Sequence, residues 1–288
     1  MKKSFQFRIL TLCSFLLLAQ MVSCQTPRTA EELTQAIIKR TGSEEVPNTV
    51  DVIIEGNPET PVTGVVSCMF ATMEVLQKAV EKNCNLIITH EPTYYNHLDE
   101  TESFQQDSVF LEKQQFIKDH KLVIWRFHDY IHRIQPDGIV TGMAEKLGWQ
   151  EQRDTDDPYK FTFPQITLKE LLKDIKRTFP ENGFHVVGNP EMQLSTVMYV
   201  PGASGSSAHI RQLRKAEVDM VVAGEVPQWE TYEYVRDAVT QGRKKAIVFI
   251  GHIYSEASGM KFCADWMREF VTDIPIHYID CGSSYWTY

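Results

Sequence analysis

Two apolar runs of strand length in this chain stop at a histidine and carry a second metal-competent side chain four residues on. Residues 121–128 end in His128 and are followed by His132, while residues 245–252 end in His252 and are followed by Glu256. Imidazole and carboxylate groups are the donors that hold zinc, iron or manganese, and a donor at a strand end with another at i+4 can aim both at one ion. Two more apolar runs end in polar side chains: residues 85–89 lead into His90-Glu91-Pro92, and residues 219–223 into Gly224-Glu225. Donors gathered at the ends of buried strands are the pattern of a metal centre.

The elements that must position these residues occur twice. Residues 64–70 read as a buried strand, 72–82 as an amphipathic helix with Val75, Leu76, Ala79 and Val80 at helical spacing, and 85–89 as a second strand. Residues 195–200, 208–216 and 219–223 repeat that order. Superposing the two halves sets Glu225 opposite Glu91, His252 opposite His128 and Glu256 opposite His132. Strands alternating with helices of this length predict α/β architecture with parallel sheet, and such sheets bind ligands beyond the carboxyl ends of their strands. The expectation is two similar α/β lobes from an internal duplication, over residues 28–150 and 151–288, with the metal site in the cleft between them. The acidic stretch 150–158 is the expected linker.

The N-terminal residues read as a leader. Lys2, Lys3 and Arg8 precede an apolar run over residues 9–19, long enough for a signal peptide and too short to span a bilayer. Ser23-Cys24 after it suggests a lipoprotein cleavage site, with residues 1–23 removed and Cys24 lipidated. The chain is then exported and held on the bacterial envelope, facing the periplasm or exterior, by a lipid anchor rather than a membrane span. The net charge of −9 becomes more negative once the basic leader is gone. With no basic, aromatic-interleaved strip, nucleic acid is excluded as a partner. Six cysteines in 288 residues demand no disulfide framework, and Cys68 and Cys84 sit in apolar contexts that suit buried thiols.

Val62-Thr-Gly-Val-Val, Ala71-Thr-Met-Glu-Val, Asn85-Leu-Ile-Ile-Thr-His-Glu-Pro92, His128 with His132, Met143-Ala-Glu-Lys-Leu-Gly148, His185-Val-Val-Gly-Asn-Pro190, Pro201-Gly-Ala-Ser-Gly205, Val221-Val-Ala-Gly-Glu225 and Gly251-His-Ile-Tyr-Ser-Glu256 follow in order. Together they resemble the Ngg-interacting-factor-three-like family, also called GTP cyclohydrolase 1 type 2 homologues, over roughly residues 28–288. The resemblance implies two divalent ions between two similar lobes, often in a toroidal hexamer, so a homo-oligomer is expected. It carries ligand roles onto His90, His252 and Glu256. The chain departs where the family has a second histidine, here Glu91, and where it has an aspartate, here His132, with Asp129 three residues away. The exchange keeps a mixed set of His90, Glu91, His132, His252 and Glu256, suited to zinc, iron or manganese.

The function expected from this resemblance is metal-dependent hydrolysis of a small extracytoplasmic molecule by a metal-bridging hydroxide. Glu256 would bridge the ions, His90 and His132 would serve one and Glu91 and His252 the other, and Glu225 would move the proton. His128 would orient a ligand or face substrate. The family's purine ring opening fits an exported protein poorly. The alternative is a non-catalytic metal-binding protein or oligomeric scaffold. The Gly202-Ala-Ser-Gly-Ser-Ser207 turn reads first as a helix start with a serine N-cap, and second as an anion cradle.

Overall fold

Short runs of β-branched and aliphatic residues make the sheets, and threonine caps start several of the helices between them. The computed structural model describes residues 28–286. The expected leader and Cys24 lie outside the described residues; among those described, no helix is long and apolar enough to cross a membrane. The chain forms β1 (Ile53–Glu55), β2 (Val65–Cys68), β3 (Leu86–Thr89) and β4 (Val123–Arg126), then β5 (Lys160–Thr167), β6 (His185–Val187), β7 (Gln193–Val200), β8 (Met220–Ala223), β9 (Ala246–Phe249) and finally β10 (Ile276–Tyr278). The helices are α1 (Ala30–Thr41), α2 (Met73–Glu81), α3 (Ser108–Asp119), α4 (Gly138–Leu147), α5 (Leu168–Thr178), α6 (Ser206–Leu213), α7 (Thr231–Thr240) and α8 (His252–Arg268). Thr29 and Thr167 start α1 and α5 with reciprocal capping boxes to Glu32 and Glu170.

The described residues form two sheets, ordered β1-β4-β3-β2-β10 and β5-β7-β8-β9-β6. The central strands β2, β3 and β4 are parallel, as are β7, β8 and β9. Every residue of β2, β3, β4, β8 and β9 is buried, as sheet covered on both faces requires. The expectation of parallel sheet holds for these strands and for β10, whereas β1, β5 and β6 run antiparallel at the edges. Strand β10 returns near the C-terminus to pair with β2 of the first sheet.

The helices α4 and α8 interlock the two cores. Met260, Cys263, Ala264 and Met267 of α8 are buried with Val65, Leu86 and Trp125 of the first sheet. Val140, Met143 and Ala144 of α4 are buried with Tyr199, Val222 and Val248 of the second. The two helices cross at glycines: a Cβ on Gly142 would overlap the Ser258 carbonyl, and one on Gly259 would reach the Ile139 backbone. Helix α8 therefore starts at the end of β9 and buries its middle and end beneath the first sheet. Its first two turns carry His252 and Glu256 to the ends of β3 and β4.

Candidate metal centre

Loops fixed by buried polar groups present the candidate ligands. His90 and Glu91 leave β3, and Thr89 Oγ1 lies 3.0 Å from the carbonyls of both Met69 and Glu91, holding that turn. Arg126, the last residue of β4, is buried and donates from Nε to the His90 carbonyl at 3.2 Å and from a terminal nitrogen to Glu91 Oε2 at 3.4 Å. Beyond β4 the carboxylate of Asp51 accepts the backbone N–H groups of His128, Asp129 and Tyr130 at 2.8 to 2.9 Å. That clamp holds the loop leading to the short 3-10 turn Ile131–Arg133, which carries His132. Gly202 lets Glu256 in: its φ is +62°, and a Cβ there would stand 2.5 Å from Glu256 Oε1.

Each of four histidines gives its Nδ1 proton to a group that can only accept. His132 donates to Asp137 at 2.8 Å, His252 to Glu225 at 2.9 Å, His128 to Asp129 at 3.0 Å, and His90 to the Phe127 carbonyl at 3.4 Å. Carboxylates and carbonyls thereby fix the ring orientations and leave Nε2 for the centre, as in metal-binding imidazoles. His252 Nε2 lies 3.0 Å from both Glu91 Oε1 and Glu256 Oε2. His90 Nε2 is 3.7 Å from Glu256 Oε2, and His128 Nε2 is 3.9 Å from Glu91 Oε1. The rings of His90 and His128 stack at 4.6 Å, and His132 stands edge-on to both.

Hydrogen bonding within the protein does not satisfy this cluster. A single N–H on His252 can be aligned with only one of two carboxylate oxygens at 3.0 Å, and it bonds Glu91. Glu256 Oε2 and His90 Nε2 are left buried without a hydrogen-bond partner. Such orphaned atoms are costly unless something else binds them. Burial opposes charge on His252, yet Glu225, Glu256 and Glu91 push its pKa up to about 12. Burial also disfavours ionisation of Glu91, but the hydrogen bond and charge of His252 bring its carboxyl below the ordinary range. His90, sealed from solvent and beside other imidazoles, is held well below the usual histidine value and offers an unprotonated nitrogen, whereas His252 would have to release its Nε2 proton to bind an ion. The donor set fits divalent metal: His90, His128 and His132 form one ligand-capable group, and His90, Glu91 and Glu256 a second that shares His90.

The structure brings His90, Glu91, His132, His252 and Glu256 together, with His128 among them rather than behind them. Its position at the repeated strand end was the signal for that. Glu225 holds the outer nitrogen of His252. Asp129 is turned away, accepting from His128, Thr49 and the Val50 N–H. The serine N-cap expected at α6 is replaced by Gly205, with no side-chain cap; the Ser204 hydroxyl donates instead to the Pro201 carbonyl at 2.5 Å.

Sequence reasoning missed Arg126, Asp51, and above all Asp137. Asp137 is buried, caps α4 through the Val140 N–H at 3.0 Å, and accepts both His132 Nδ1–H and the Tyr159 hydroxyl. The Asp-Gly pair at a helix start was the available signal. Asp137→Asn keeps the shape but removes the charge that polarises His132. Metal affinity is expected to fall about tenfold, at the low end for loss of such an orienting carboxylate. Competition with a chromophoric chelator measures it, and Tyr159→Phe should cost less because the carboxylate remains.

A family model described as Duf34/NIF3 (NGG1p interacting factor 3) matches residues 32–283. A Clostridium acetobutylicum protein named GTP cyclohydrolase 1 type 2 homolog is 24% identical over 215 residues, covering 71% of this chain and 76% of that protein. Among solved structures, a Bacillus cereus protein related to NIF3 superposes with a TM-score of 0.71 at 15% identity, covering 92% of this chain and 100% of the other. A Staphylococcus aureus protein superposes with a TM-score of 0.69 at 14% identity, covering 91% and 99%. At these identities the structural likeness is one of fold.

Proposed function

This chain belongs to the Duf34/NIF3 (NGG1p interacting factor 3) family, and from that premise we propose that it holds a pair of divalent metal ions and uses them to hydrolyse a small molecule. One observation carries the reading: four imidazoles have Nδ1 engaged, and His90, His128 and His252 turn Nε2 toward Glu91 and Glu256, leaving His90 Nε2 and Glu256 Oε2 buried and unpaired. His90, His128 and His132 would hold one ion, and Glu91 and His252 the other. Glu256 Oε2, between His90 and His252, would serve both. When bound, such ions supply Lewis acidity and make water a competent nucleophile near neutral pH.

The chain's own residues do the rest. Arg126 holds the second oxygen of Glu91, Asp137 and Glu225 fix the rings of His132 and His252, and Gly202 admits the Glu256 carboxylate. The side chains of His128, His132 and His252 keep 26%, 25% and 18% of their surface exposed, whereas His90 and Glu256 are sealed. A site closed behind and open in front suits catalysis better than a purely structural role. In this reading the two β-α-β units descend from an internal duplication, and the centre is the cleft between them. The proposal also keeps export, a lipid anchor at Cys24 and assembly into a homo-oligomer.

Elemental analysis of the purified protein without its leader should find about two equivalents of zinc, iron or manganese. At a metal concentration of about a thousandfold Kd, binding adds about 4 kcal/mol of stability, so chelation should lower Tm by about 10 °C in a chain of this size. A panel of phosphoesters and amides then tests hydrolysis. Stoichiometric metal with no turnover across the panel would assign the site to metal binding alone, and no bound metal would sink the proposal.

A further inference from the structure

Beside His252 the molecule opens into a cavity of about 490 Å3, within the range of small-molecule sites. Five aromatic side chains line it: Phe70, Tyr232, Phe249, Tyr254 and Tyr285. Tyr232 and Phe249 stack at 4.2 Å with only 8° between their planes, which makes one wall flat. Phe70 meets the His252 ring edge-on at 6.3 Å and joins the cavity to the candidate ligands. Tyr285 closes the opposite side, its hydroxyl lying against Gly251, where φ is +91° and a Cβ would stand 2.8 Å away.

The polar lining is as selective as the walls. Among the described residues no lysine or arginine borders the cavity, so no side-chain cation is there to hold a di- or triphosphate. Glu225 borders it and uses Oε1 for His252, which leaves Oε2 to accept a donor. Gly251, His252, Ile253 and Tyr254, the start of α8, border it too, and Gly251 offers no side-chain cap to the first backbone N–H groups of that helix. An acceptor on one side and amide donors on the other match a group with N–H and C=O side by side.

We propose that this cavity is the binding subsite for a small aromatic amide: a planar ring laid against its aromatic wall, its N–H on Glu225 and its carbonyl oxygen on the start of α8. The ring leaves the amide next to His252, at the edge of the candidate metal centre. The assignment rests on reading that centre as a hydrolase's and names its substrate class. It does not depend on the ions for the ring contacts, which are made by the protein alone.

Benzamide, cyclohexanecarboxamide and benzoate are the probes, titrated calorimetrically into the full chain in chelator, so that the cavity is tested apart from the metals. Benzamide is expected to bind about tenfold tighter than cyclohexanecarboxamide, which has the same amide but no flat ring to stack. Benzoate, which lacks the N–H and faces Glu225, should not bind. Tyr254→Ala should weaken benzamide about tenfold. Tyr285→Ala, at a half-exposed position whose loss leaves the core untouched, should weaken it in the same direction. Equal binding of the flat and puckered amides, or unchanged benzamide binding in both tyrosine variants, would overturn the assignment. Zinc titration of the same variants reads the metal centre separately and should match the unaltered chain.

Discussion

Replacing Glu256 with alanine is expected to abolish metal binding, with affinity falling by more than about 100-fold, beyond what loss of an orienting partner costs. No other side chain occupies its place: Oε2 lies 3.0 Å from His252 Nε2 and 3.7 Å from His90 Nε2, and the residue is 4% exposed. Its loss removes the carboxylate that His90 and His252 share; Glu91 Oε1 still faces His252, but its other oxygen is tied to Arg126 and Glu225 lies on the far nitrogen of His252, so neither takes the place of Glu256 between the two rings. The metal-free variant should melt only modestly below the metal-free parent, since it loses one of the carboxylates that favour charge on His252 while Glu91 and Glu225 remain to hold that ring. Competitive zinc titration and thermal melts in chelator separate the two effects. Retained tight binding would move the centre elsewhere, and a collapsed metal-free melt would make Glu256 a structural residue.

Much of this centre was legible because its donors sit at the ends of apolar strands, where period and polarity change together. His90, Glu91, His132, His252 and Glu256 were singled out as candidates from those positions and from the family resemblance, and the fully buried strands read as continuous apolar runs. What supports them was not legible. Asp137 follows His132 by five residues, a spacing that means nothing until the turn at Ile131–Arg133 and the start of α4 bring the two side chains together. Arg126 reads as an interruption of an apolar run, and its purpose depends on Glu91, which lies on another strand's end. The antiparallel edges were missed for a related reason. Strand β5 contains Pro164 and an irregular register between Thr162 and Ile166, which an edge tolerates and which hides the alternation of a strand. The interlocking of α4 and α8 was invisible because each helix shows an apolar face without saying whose core it enters.

That interlocking sets the second large effect. Gly142→Ala is expected to destabilise the protein by about 2–3 kcal/mol, the range for overpacking a tight contact, and to weaken metal binding with it. A Cβ at position 142 would overlap the Ser258 carbonyl and stand 2.7 Å from the Gly259 Cα, both backbone atoms of α8 that cannot rotate aside. The gain in helix propensity, about 1 kcal/mol, is smaller than that clash. Relief requires α4 and α8 to separate, and Ser258 is two residues from Glu256 while α4 is capped by Asp137, which orients His132. The same displacement therefore pulls the Glu256 side of the centre from the His132 side. Gly148→Ala gives the contrast: it ends the same helix at a φ of +71° with open space around it, so alanine there strains only the cap. It should cost stability in a thermal melt and leave zinc affinity unchanged. If Gly142→Ala lowered Tm but bound zinc as tightly as the parent, the helix crossing would stabilise the fold without setting the distance between the two halves of the centre.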